Sequence, residues 1–104
     1  MLSYDEDSQN AKILAQHYAK EIGGEFLFGF MSGTATISTE SQLHEVIEGF
    51  WKMTELAISD NESDVTIEGI YDIEFWMQKL FIKVNGYMTK HGYSKQWDEA
   101  MREQ

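Results

Sequence analysis

Between Thr39 and Ile58 the sequence spells out one complete amphipathic helix, and that stretch limits the fold more than any other. Thr39-Glu40-Ser41-Gln42 has the spacing of a capping box, with Glu40 in the first turn, where a carboxylate complements the helix dipole. Leu43, Val46, Ile47, Phe50, Trp51, Thr54 and the pair Ala57/Ile58 then recur at helical spacing. Glu45, Glu48, Lys52 and Glu55 form the opposite stripe. A helix with so wide an apolar face is stable only when that face is covered. The rest of the chain therefore has to supply apolar partners.

Nothing in the composition opposes helices. Proline is absent, so no segment is forced to break, and breaks must come from Gly, Asn, Asp and Ser. Residues 8–22 read as a first helix, with Ala11, Leu14, Ala15, Tyr18 and Ile22 at helical spacing and Gly23-Gly24 ending the run. Asp72 is a natural N-cap for a long helix over 73–90, stopped by Gly92. Ile73, Trp76, Met77, Leu80, Val84 and Met88 give that helix an apolar face, and Phe75, Phe81 and Ile82 widen it beyond an ordinary stripe. Such a helix is expected at the centre of the fold or paired. Ser94 caps a short last helix over 95–102, with Trp97, Ala100 and Met101 inward.

Residues 25–38 have a different character. Phe26-Leu27-Phe28-Gly29-Phe30-Met31, a Ser32-Gly33 pair and Thr34-Ala35-Thr36-Ile37 suggest two short strands around a tight turn. Val65 and Ile67 suggest one further short strand, and the polar run 59–64 a loop. The expected fold is thus α+β and helix-dominated, about four helices with a small β-hairpin at 25–38. An all-α bundle is the alternative. One domain accounts for residues 1–104, since a chain of this length builds a single modest core.

Charge is distributed unevenly. Residues 40–74 hold ten carboxylates against Lys52, a net charge of −9 out of −10 for the whole chain. Residues 75–104 sum to +2. An acidic chain of this kind would be disordered if it lacked aromatics, but 13% of these residues are Phe, Trp or Tyr, and 42% are apolar. The acidic field repels nucleic acid and anionic membrane and attracts a basic partner. With no cysteine, there is no disulfide, thiolate nucleophile or cysteine zinc site. The acidic N-terminus does not resemble a signal peptide, and no apolar run reaches the ~20 residues that span a bilayer. A cytoplasmic location is the expectation.

Motifs for chemistry are incomplete. His44-Glu45-Val46-Ile47-Glu48 puts His44 and Glu48 one turn apart, but a hydrolytic zinc needs a third ligand and a base that the sequence does not signal. Asp60-Asn61-Glu62-Ser63-Asp64 begins like a calcium loop. Val65 then replaces the turn glycine and Tyr71 the bidentate glutamate. No glycine fingerprint, nucleophile elbow or apolar carboxylate appears. The expectation is no enzyme, no cofactor and no metal.

The functional expectation rests on charge and size, because no motif identifies a family. It is a small acidic protein that binds and blocks a basic protein, in concrete form a bacterial immunity protein or antitoxin that neutralises a basic toxin or nuclease. The partner-binding residues expected are Glu45, Glu48, Trp51, Glu55, Asp60, Glu62 and Asp64. Trp51 is the anchor candidate, at the edge of its stripe beside the acidic face. From a different class, the alternative is an assembly subunit dimerising through helix 73–90, with Phe75 and Ile82 as the contact. A nucleic-acid mimic is disfavoured by the basic C-terminal quarter, and a small-ligand protein or enzyme ranks below both.

Overall fold

The computed structural model of the chain describes residues 4–63 and 65–102, with side chains from Gln9 onward. Five helices make up the fold: α1 (Tyr4–Ile22), α2 (Glu25–Ser32), α3 (Glu40–Glu62), α4 (Ile73–Lys90) and α5 (Ser94–Arg102). Among the described residues there is no strand, only an isolated antiparallel bridge between Ile67 and Ile70. The fold is therefore helical, and the expected β-hairpin at 25–38 is wrong.

The reason lies in two features of that segment. The run Phe26–Met31 is apolar on every side, so its periodicity does not distinguish strand from helix. Its end decides the matter. Gly33 sits in the left-handed region (φ 83°) and donates to the Phe30 carbonyl, while Thr34 donates to Gly29. This pair of bonds is a Schellman helix stop, so the glycine read as a hairpin turn is a helix cap. Beyond it, Thr34–Ser38 has no partner strand. Instead the Ile37 N–H donates to Tyr87 Oη (3.0 Å), and the Ile37 carbonyl accepts from Tyr93 Oη (3.3 Å). Two tyrosine hydroxyls thus satisfy backbone groups that a sheet ladder would have taken, and Ile37 is buried.

The other helices follow their local signals. Thr39 Oγ1 accepts from the Gln42 N–H (3.1 Å), and Gln42 Oε1 accepts in return from the Thr39 N–H (3.2 Å), closing the capping box. Asp72 Oδ1 accepts from the Phe75 N–H and caps α4. Gly23, at φ 85°, ends α1. The helix expected over 40–58 continues one turn further, to Glu62, where Ser63 and Val65 donate back to Asp60.

In the core, α1, α3 and α4 pack against one another, α2 fills in against α1 and α3, and α5 closes on α4. One contiguous apolar cluster draws on all five helices, including Leu14, Leu27, Met53, Met88 and Trp97. Gly49 allows the close approach of α2, because the Leu27 side chain occupies the space where a Cβ would stand. At the junction of α3, α4 and α5, the rings of Phe50, Phe81 and Trp97 lie 5.4–5.9 Å apart, centre to centre. That cluster packs α5 against α3 and α4.

Candidate functional site

The period of α3 sorts its residues into a buried face, an acidic face and an apolar border between them. Val46, Phe50, Met53 and Ala57 are buried. Glu45, Glu48, Glu55 and Glu62 are exposed, and Trp51 is half-buried. Glu48, Glu55 and Glu62 are seven residues apart, two helical turns each, so they form a row along one side. Trp51 and Ile58 share the same spacing and run beside that row. Ile58 was expected to point inward with Ala57; only Ala57 does, and Ile58 is 52% exposed.

Asp60 differs from the other carboxylates. Its Oδ2 accepts a 2.8 Å hydrogen bond from Tyr18 Oη and so ties the end of α3 to α1. Burial and the Asp60 carboxylate push the Tyr18 hydroxyl well above the ordinary tyrosine range. Because Asp60, Asn61 and Glu62 lie in the last turn of α3, the calcium-loop resemblance has no loop to act in. Asp64 falls outside the described residues. Among those residues, no three His, Asp or Glu side chains come together in a way that could hold a metal ion. None of the exposed α3 carboxylates lies within ion-pair distance of a Lys or Arg among the described residues. Their charge is left for solvent or a partner.

Beside this row the structure has a groove between α3 and α4 of about 530 Å³. Phe50, Ala57 and Met77 line it, with Ile58 on the α3 side and Phe81 on the α4 side. Its two charged lining residues, Glu62 and Glu74, are both acidic. Glu48 and Glu55 of the row could be read from the sequence; Glu62, expected in a loop, and the groove could not, because they depend on the extra turn of α3 and on how α4 lies across it. The excess apolar width of 73–90 was the one signal pointing to the groove.

Phe75 and Ile82 are exposed on α4, at 43% and 64%. Phe75 is partly covered from within its own helix: Trp76 meets its ring edge-on at 5.3 Å, and Lys79 Nζ lies 5.2 Å from its centre. No helix among the described residues is long and apolar enough to cross a membrane. The chain matches no protein-family model, no curated protein and no solved structure.

Proposed function

We propose that this protein is a binding protein whose α3 outer surface engages a basic protein and blocks it, as an immunity protein or antitoxin blocks a basic toxin or nuclease. The observation that carries the reading is the row Glu48, Glu55, Glu62, exposed and unpaired by Lys or Arg among the described residues, alongside half-buried Trp51 and exposed Ile58. Carboxylates of one sign speed encounter with a basic surface, and the adjacent apolar side chains slow release. Glu45 extends the acidic face on the far side of the row. Asp60 contributes through its place in the last turn, although one of its oxygens is held by Tyr18.

The test is recovery of a basic protein with the tagged chain from its own cells at low salt. Recovery should be lost at high salt and lost with Glu45→Lys, Glu48→Lys and Glu55→Lys combined. Equal recovery by the variant would take α3 out of the interface. Absence of any salt-sensitive basic partner would remove the reading. A second reading, self-association through α4, is favoured by the exposure of Phe75 and Ile82 on one side of that helix. Light scattering at micromolar concentration decides it, and a strict monomer ends it.

A further inference from the structure

The acidic row explains attraction to a basic surface, but the apolar groove beside it calls for a more specific partner. We propose that the α3–α4 groove receives the apolar face of a basic amphipathic helix, one whose bulky apolar residues are flanked by Lys or Arg. This rests on the reading of α3 as the surface that meets a basic partner, and it names the partner's chemistry at that surface.

Shape and charge both lead there. From Phe50 to Glu62 the α3 wall of the groove runs about 18 Å at the helical rise, the length of roughly three turns of a docked helix. Ile58 and Phe81 stand on opposite walls, both exposed, over a floor that includes buried Met77. Trp51, two turns before Ile58 on the same side of α3, continues the apolar track past the groove. Carboxylates border this track on both sides, Glu48, Glu55 and Glu62 along α3 and Glu74 on α4. A helix laid in such a groove places apolar residues at i, i+3 or i+4, and i+7 on the track, and its flanking positions meet the borders. The borders are acidic, so those flanking positions are basic. A second copy of this chain fits poorly, because a two-fold contact at this groove would set the same carboxylate rows against each other. An anionic membrane surface is repelled by the same rows.

The experiment compares two synthetic helices of equal positive charge, one of Lys and Leu with the Leu on one face, the other with Ser in place of Leu. Burying one or two Leu side chains is worth more than about 1.5 kcal/mol, about tenfold in affinity. The Lys/Leu helix should therefore bind at least about tenfold more tightly than the Lys/Ser helix. Ile58→Ser, at a position 52% exposed, should cut that preference about fivefold or more. In the unmodified protein the Met77 methyl resonance should shift with the Lys/Leu helix and not with the Lys/Ser helix, which keeps the test independent of any variant. Equal, salt-sensitive affinity for both helices would overturn the groove assignment while leaving the acidic-surface reading in place. Binding of neither would overturn both.

Discussion

Replacing Gly49 by Ala probes the close approach of α2 to α3, and its sign depends on Leu27. A Cβ at Gly49 would stand 2.5 Å from Leu27 Cδ2, 3.0 Å from Cδ1 and 3.2 Å from Cγ. Turning the leucine methyls does not relieve this, because Cγ is also too near, and Leu27 is only 1% exposed. Overpacking of this kind costs about 1–3 kcal/mol, whereas Ala in place of a mid-helix Gly gains about 1 kcal/mol. Gly49→Ala should therefore destabilise by up to about 2 kcal/mol. Gly86 on α4 is the matched control. A Cβ there meets nothing within 4 Å, so Gly86→Ala should stabilise by about 0.5–1 kcal/mol. Leu27→Ala, which itself costs about 2–5 kcal/mol, should turn Gly49→Ala from harmful to helpful, a coupling of about 2 kcal/mol. Urea unfolding followed by tryptophan fluorescence and circular dichroism measures the parent chain, the three single variants and the Leu27→Ala/Gly49→Ala double variant. If Gly49→Ala stabilised the parent chain as much as Gly86→Ala does, Leu27 would not be packed on α3, and residues 25–32 would not form the helix described.

Three other substitutions test separate parts of the structure. Tyr18→Phe removes the bond to Asp60 and should cost about 1–2 kcal/mol at neutral pH. Because folding raises the Tyr18 pKa, its contribution is complete below the ordinary tyrosine value of about 10 and fades as pH rises above it, so the Phe variant should lose less stability between pH 10 and 11.5. Chemical unfolding across that range checks the slope, and identical slopes would remove the assigned role of the Tyr18–Asp60 pair. Trp97 Nε1 is buried without a hydrogen-bond partner among the described residues, so Trp97→Phe gives up packing but also removes an unsatisfied donor. Its net cost should stay within about 1 kcal/mol, against about 3–5 kcal/mol for Trp97→Ala; equal costs would rule out the unsatisfied N–H. Glu68 (φ 51°) and Gly69 (φ 81°) form a tight turn in which the Ile70 N–H donates to the Ile67 carbonyl at 2.8 Å. Positive φ at both central positions marks the mirror-image hairpin turn that favours Asn-Gly, so Glu68→Asn should raise the melting temperature by about 3–6 °C. An unchanged or lower value would contradict that turn.

Some of this could be read from the sequence because local chemistry decides it. Thr39 with Gln42, and Asp72 before an apolar period, set the starts of α3 and α4 whatever the rest of the chain does. The last turn of α3 was hidden because Asp60, Asn61 and Glu62 carry no apolar period, and the turn is held by a tertiary bond to Tyr18. Residues 25–38 were misread because an all-apolar run has no preferred face, and because Tyr87 and Tyr93, far along the chain, supply the hydrogen bonds that keep Ile37 out of a sheet. The Glu45, Glu48 and Glu55 part of the acidic face is a one-helix pattern visible in the sequence, whereas Glu62 joins it only through the hidden last turn. The apolar half of the candidate surface needs Ile58 and Phe81 brought face to face across two helices, which no local rule announces.

The most direct measurement is the affinity of the Lys/Leu helix for the unmodified protein and for two triple variants at low ionic strength. One variant carries Glu48→Gln, Glu55→Gln and Glu62→Gln; the other carries Glu21→Gln, Asp98→Asn and Glu99→Gln, also exposed and equal in charge change. Each charge pair at an exposed face contributes about 0.2–1 kcal/mol, so neutralising the three carboxylates of the α3 row should weaken binding by roughly three- to 150-fold. The control variant should weaken it by less than about twofold, since only long-range, salt-screened attraction is lost. Equal loss in the two variants would mean that net charge alone draws the peptide and that α3 is no binding surface.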